Sequence, residues 1–142
     1  MPQIPGEKAI TSPEEAFSVF DFERVARDVL PPAHWGYLAT GVDGDRTLHA
    51  NREGFDKFSI RARRLVDVSR VDTKMSLLGR EWPTPIVVAP AGSQRAFHPE
   101  GELASARAAG QQGNLQILST VSTASAEEVV EAHGSPVWYQ LY

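Results

Sequence analysis

From Pro85 onward the chain alternates apolar runs with helical segments, and this alternation constrains the fold more than any other feature. PIVVAP (85–90) is a continuous β-branched run, the mark of a strand covered on both faces. HPEGELASARAAGQQG follows as an Ala-rich helix with Pro99 near its start, and LQILST (115–120) is a second buried run. SAEEVVEAHG is a second helix, with Ser125 and Glu128 as a capping box and Gly134 at its end. PVWYQLY then closes the sequence as a third strand, 137–142. Helices of this length suit right-handed crossovers between parallel strands, which makes an α/β fold, doubly wound or barrel. A parallel strand at 137–142 has two faces to cover and two edges to pair, and the other two strands satisfy only part of that. The expectation is therefore the first portion of a larger barrel.

The preceding residues follow other patterns. Residues 1–11 read as a polar arm. Residues 12–84 read as N-terminal helices and extended segments, and residues 85–142 as the first part of the barrel. Ser12-Pro13-Glu14-Glu15 has the form of a helix start, Ser capping and Glu15 closing a box. FDFERVARDVL places Phe22, Val25, Ala26 and Val29 on one helical face before Pro31-Pro32 breaks it. HWGYLATG predicts a short helix ending in a left-handed cap at Gly41, and Leu48, Asn51, Arg52 and Phe55 recur at helical spacing. FSIRARRLVDVSRVDTKMSLLGREWPTP reads as extended segments broken by a turn at Leu78-Gly79-Arg80.

Composition narrows the function classes. A net charge of -4 argues against nucleic acid, and the short basic cluster IRARRL (60–65) reads as a solvated strand or structural ion pairs. The absence of cysteine excludes disulfides and thiolate chemistry, and four scattered histidines without HxxxH or HExxH spacing make no dedicated metal site. The start has no apolar core of a signal peptide and no run approaches a membrane span, so a cytoplasmic location is the default expectation.

Ligands of α/β folds gather at the C-terminal ends of parallel strands. Those ends are Pro90-Ala91-Gly92-Ser93-Gln94, Ser119-Thr120-Val121-Ser122-Thr123 and Gln140-Leu141-Tyr142. Such a set can line a planar, hydrogen-bonding cofactor, with Gly92 allowing close backbone approach and Ser119 and Gln140 supplying donors and acceptors. It contains no nucleophile–base pair, no carboxylate pair, and no Lys or Arg aimed at a phosphate. Each residue also has a structural reading: turns or caps for Ser119 and Ser122, a backbone bond for Gln140, core packing for Tyr142 and Tyr37, and a helix-start cap for His98. GVDGD (41–45) lacks the spacing and the preceding strand of a phosphate loop.

Five stretches in order carry a resemblance: GYLATGVDGDRTLHANREGFDKF, RARRLVDVS, PIVVAPAGSQRAFHPEGELASARAA, LQILSTVSTAS and WYQLY. From about Phe20 to Tyr142 the chain resembles the N-terminal part of the FMN-dependent α-hydroxy acid oxidising enzymes, the glycolate oxidase, lactate oxidase and mandelate dehydrogenase family. The resemblance implies a (β/α)₈ TIM barrel, about three of whose strands lie here, preceded by extra helices and short extended segments, with FMN at its mouth. It implies that Tyr37 binds the substrate carboxylate and that the Ala91–Gly92 backbone lies against the flavin near N5. By the same likeness Ser119 bonds the isoalloxazine, Gln140 bonds its pyrimidine edge, and Tyr142 is the active-site tyrosine contacting the substrate hydroxyl or carboxylate. The implied reaction oxidises an L-2-hydroxy acid to the 2-oxo acid, with oxygen or a quinone or cytochrome as electron acceptor, in a full-length homo-oligomer. The family's histidine base, its lysine near flavin N1 and its arginine lie beyond position 142, so residues 1–142 alone are expected to be inactive and to bind FMN weakly. Gly92 and Val121 stand where some members carry larger residues, which implies a pocket roomier than glycolate needs. Two other readings stand beside this one. The first is a stand-alone half-barrel that oligomerises as a binding or regulatory module. The second is a different FMN barrel of the isopentenyl diphosphate isomerase type, for which diphosphate-directed basic residues are missing.

Overall fold

A computed structural model of the protein describes residues 9–142; most of the expected polar arm, residues 1–8, lies outside the described residues. The chain divides into two compact units, one running to Arg61 and one covering Ala62–Tyr142.

In the first unit the expected helix start at Ser12 is only a 3₁₀ turn, Pro13–Glu15, and the Ser12 side chain caps nothing. Glu15 instead turns back to Thr11, accepting from its N–H at 2.8 Å and its hydroxyl at 3.0 Å. The chain leaves the turn at Ala16 because Asp21 gathers the N–H groups of Phe17 and Ser18, each at 2.8 Å. Helix α1, Asp21–Val29, stops at Leu30, which is extended as the residue before a proline must be. Pro32 opens α2, Pro32–Ala39, at its first position, where a missing N–H costs nothing. The cap expected at Gly41 is not left-handed: positive φ falls on Asp43, Gly44 and Asp45 instead. Gly41 is held another way, its N–H donating to Asp45 Oδ1 at 2.7 Å. Helix α3, Arg46–Glu53, carries Leu48, Asn51 and Arg52, and Phe55 begins the 3₁₀ turn that follows.

The second unit begins with the irregular segment 62–74 and then forms a hairpin, β1 (Met75–Leu77) antiparallel to β2 (Arg80–Trp82). Leu78 and Gly79 take φ of 50° and 78°, the two left-handed residues that a tight two-residue connection needs to match strand twist. Strands β3 (Val87–Val88), β4 (Leu115–Leu118) and β5 (Trp138–Tyr139) form one parallel sheet in sequence order. Helices α4 (Glu102–Gln111) and α5 (Ala126–His133) connect them. The alternation expected from the sequence is therefore present, as an α/β unit.

Its strands are shorter than expected. Pro85 and Pro90 lack N–H groups at both ends of the first run, and Ile86 and Val87 remain exposed on the edge strand. Pairing of the third run ends with the Gln140 N–H on the Leu118 carbonyl at 2.8 Å, and Tyr139, Leu141 and Tyr142 are exposed rather than buried.

The core lies between β4 and the two helices: Leu118, Ala106, Ala124 and Val129, flanked by Leu103, Ala132 and Val137. Burying Leu118 and Val129 contributes about 1.5–3 kcal/mol each. α5 is framed as the sequence predicts, by a reciprocal Ser125–Glu128 capping box and a left-handed Gly134 at φ 77°. Alanine at 106 and 109 and glycine at 110 let α4 approach α5 closely; a Cβ on Gly110 would lie 2.1 Å from the His133 carbonyl oxygen. His133 is buried there, Nε2 3.0 Å from Asn114 O and Nδ1 3.0 Å from Ser135 Oγ.

Candidate functional site

The carboxyl ends of β3, β4 and β5 carry the residues singled out from the sequence. Ser119, the residue after β4, is buried, and its hydroxyl lies 3.3 Å from Gln140 Oε1 beyond β5. Ser119 Oγ also accepts from the Val121 N–H at 3.3 Å, so Ser119 serves both its turn and its neighbour strand. Thr120 Oγ1 donates to the Gln140 carbonyl. Two of the expected site residues, Ser119 and Gln140, are thus brought together.

Gly92 approaches the loop after β4. A Cβ there would meet Val121 Cγ2 at 2.4 Å and Ser119 Oγ at 3.2 Å, while the Ser93 N–H donates to Val121 O at 2.9 Å. The extra room expected beside Gly92 is consequently filled on this side by Val121, and the two small residues are one packing arrangement. Ala91 is exposed, with its carbonyl accepting from Gln94 Nε2 at 3.0 Å. Tyr142 is exposed beyond β5, and Tyr37 is an exposed residue of α2 in the first unit.

Beneath these loops lies a residue that the sequence did not single out. Glu102 opens α4 and is wholly buried. Its Oε1 accepts from the Gln94 N–H at 3.1 Å and the Thr123 N–H at 2.9 Å, and its Oε2 accepts from the Thr123 hydroxyl at 2.5 Å. Burial pushes the carboxyl's pKa up, but the bonds from Thr123, from its own N–H and from Gln94 outweigh it and hold the group below its ordinary value. One carboxylate therefore ties the loop after β3 to the loop after β4. Only a glutamate following a glycine marks it in the sequence, which by itself reads as an ordinary helix-start acid. Arg95 adds to the same joint, donating from its N–H to Thr123 Oγ1 at 3.4 Å and from Nη1 to Thr123 O at 3.3 Å.

Ser122 takes the turn role considered for it, whereas His98 serves a turn ahead of α4 and not the expected helix-start cap, since the cap position is Gly101 and carries no side-chain bond. His98 Nδ1 accepts from the Glu100 N–H at 3.2 Å, and Ser122 Oγ closes a turn on the main chain of Ala124. Among the described residues no cluster of three His, Cys, Asp or Glu side chains could hold a metal ion, and no helix is long and apolar enough to cross a membrane. The strand ends present neutral hydrogen-bonding groups: the Gly92 N–H, the Ser119 hydroxyl and the Gln140 carboxamide. That chemistry suits a planar heterocycle rather than a metal or a polyanion.

The chain is 45% identical over 123 residues to the L-lactate oxidase of Lysinibacillus sphaericus (strain C3-41), covering 86% of this chain and 32% of that protein. Its structure matches a crystal structure of mandelate oxidase with (S)-4-hydroxymandelic acid at a TM-score of 0.82 and 42% identity, over 89% of this chain and 36% of that one. A mandelate oxidase variant solved with a C4a-OH-FMN adduct matches at a TM-score of 0.79 and 43% identity, over 86% of this chain and 37% of that one. The chain spans about a third of the length of the curated relatives it matches. The FMN-dependent dehydrogenase profile matches residues 26–142, most of the sequence, and the chain belongs to that family.

Proposed function

We propose that this chain forms the first-to-third-strand side of an FMN pocket in a (β/α)₈ barrel that oxidises an L-2-hydroxy acid to the 2-oxo acid. FMN is the family's cofactor, and when bound it supplies the two-electron oxidising capacity of the reaction. The donor set fits its ring. The Gly92 N–H has no acceptor among the described residues, and the Gln140 Nε2 has no protein partner there, so both are available to ring oxygens and nitrogens. Among the described residues no guanidinium or ammonium stands free at these loops to hold the phosphate, since Arg95 is engaged with Thr123. The phosphate grip is assigned to residues outside 1–142.

The bridge between Ser119 and Gln140, at 3.3 Å across the ends of two neighbouring parallel strands, carries the proposal. It fixes a hydroxyl and a carboxamide side by side, where a planar ring edge would meet both. In this reading the Ala91–Gly92 backbone supports the ring near N5, Ser119 bonds the isoalloxazine, and Gln140 bonds the pyrimidine edge. Tyr37 and Tyr142 bind the substrate carboxylate and hydroxyl, Tyr142 as the catalytic contact. Lactate-, glycolate- and mandelate-type acids are the substrate class, since the relatives are named for them. Oxygen, or a quinone or cytochrome, receives the electrons, and the working enzyme is a cytoplasmic homo-oligomer.

Residues 1–142 alone are proposed not to turn over and to bind FMN weakly, because they bring no general base to the strand ends. A general base is worth about 10²–10⁴-fold. The test titrates FMN into the whole gene product and into residues 1–142, reading flavin fluorescence, then adds L-lactate, (S)-mandelate or glycolate without oxygen. Tight binding and bleaching of the flavin's visible absorbance are expected only of the whole product. A whole product that leaves FMN free in solution overturns the proposal, and a tightly loaded, active 1–142 overturns the division of labour.

A further inference from the structure

Helix α4 reaches the Ala91–Gly92 peptide through a second set of bonds. Ser105 Oγ donates to Gln94 Oε1 at 2.6 Å, and Gln94 Nε2 donates to Ala91 O at 3.0 Å. The Gln94 N–H meanwhile donates to Glu102 at 3.1 Å. Gln94 is therefore gripped at main chain and side chain by residues 102 and 105, one helical turn apart and on one face of α4. The Ala91 carbonyl can only accept, so it takes the carboxamide NH₂ and leaves the oxygen to the Ser105 hydroxyl, which braces it from the helix.

A trans peptide is planar, so the Ala91 carbonyl and the Gly92 N–H point in opposite directions. Holding the carbonyl fixes where the N–H points. This matters at Gly92, whose backbone has no Cβ of its own to restrict the peptide's rotation. The Gly92 N–H has no acceptor among the described residues, so it is a donor kept oriented yet unused by the protein itself. A purely structural anchor for this loop exists already in the Glu102 bonds; the carboxamide bridge adds nothing to that anchor except the orientation of one peptide plane.

We propose that Gln94 is a positioning residue that aims the Gly92 N–H at the acceptor edge of the bound ring, with Ser105 bracing the Gln94 carboxamide oxygen. The identity of the ring rests on the flavin reading above; the relay itself does not.

The test uses the whole gene product labelled with ¹⁵N-glycine, FMN as the probe, and the variants Gln94→Glu, Gln94→Met and Ser105→Ala. Gln94→Glu keeps size and an acceptor for Ser105 but sets a carboxylate against the Ala91 carbonyl; Gln94→Met removes both bonds. Both are expected to displace the Gly92 amide signal in the absence of FMN. Both are also expected to weaken FMN binding by about three- to tenfold, the worth of one hydrogen bond. Ser105→Ala leaves Gln94 in place and is expected to give a smaller change in the same direction; it decides the matter if a Gln94 variant fails to fold. A Gly92 amide that stays in place in all three variants overturns the relay, even if FMN affinity falls. A displaced amide with unchanged FMN affinity overturns the aiming role. If the unaltered protein binds no FMN, the flavin reading fails, and the ligand-free Gly92 signal still decides whether the relay exists.

Discussion

Glu102→Gln is the sharpest test of how the candidate site is held. The carboxylate receives three bonds, from Gln94 N–H, Thr123 N–H and the Thr123 hydroxyl, at 3.1, 2.9 and 2.5 Å. A hydrogen bond to a charged group contributes roughly 1.5–3 kcal/mol and a neutral one roughly 0.5–1.5. Changing three bonds from charged to neutral costs about 3 kcal/mol, and relief of the buried charge's desolvation returns part of it. The expected net loss is about 1–2 kcal/mol. Glu102→Ala leaves the N–H groups of Gln94 and Thr123 without their acceptor and opens a small cavity, for about 3–5 kcal/mol. Urea unfolding of the whole gene product, followed through the buried Trp82, measures both. The pH dependence has a definite sign. Glu102 is held below its ordinary 4.5 in the folded protein, so its contribution is full above that value and is lost as pH falls through the lower folded-state value. The wild-type advantage over Glu102→Gln should therefore shrink on acidification below pH 4.5 and be constant above it. A second arm pairs Glu102→Gln with Thr123→Val, where a coupling of about 1 kcal/mol is expected. Equal stability of wild type and Glu102→Gln at pH 7, or additive effects with Thr123→Val, would refute the clamp.

Two further substitutions test the packing around it. Gly110→Ala places a methyl 2.1 Å from the His133 carbonyl oxygen and 2.9 Å from its carbon, both backbone atoms that cannot rotate away, so α4 and α5 must part; a loss of about 3 kcal/mol in urea unfolding is expected. Gly92→Ala meets Val121 Cγ2 at 2.4 Å, costing about 1–3 kcal/mol, and Val121→Ala in the same chain should recover most of it; a double variant no more stable than Gly92→Ala would show that Val121 is not the obstacle.

The sequence disclosed those features whose cause is local. The Ser125–Glu128 box and the left-handed Gly134 depend on residues within one helical turn, and they stand in the structure where the spacing puts them. The break before Pro31 is equally local. At Ser12 the same spacing misled, because Glu15 took the N–H and hydroxyl of Thr11 as its donor pair and Asp21 took the N–H groups of Phe17 and Ser18. At Gly41 the left-handed turn fell to Asp43, Gly44 and Asp45, with Asp45 holding the Gly41 N–H from outside. Ser119 and Gln140 were legible because both follow apolar runs at strand ends. Glu102 was not, because it follows no apolar run and no period connects it to its partners at 94 and 123.

The two ends of α4 explain why such a site can be precise although its side chains are small and neutral. At the amino end, Glu102 and Ser105 hold Gln94, and Glu102 also holds Thr123. At the carboxyl end, about 15 Å further along a ten-residue helix, Gly110 lies against the His133 carbonyl and Asn114 O meets His133 Nε2. A helix pinned at both ends to the β4–α5 segment cannot slide along it, so the loops after β3 and β4 keep a fixed separation. Neutral hydroxyl, amide and backbone donors gain selectivity only when their spacing is set in advance, since each alone is worth little. Here the charge needed for that rigidity is buried under the loops, on Glu102, and the groups at the strand ends themselves, the Gly92 N–H, the Ser119 hydroxyl and the Gln140 carboxamide, are neutral.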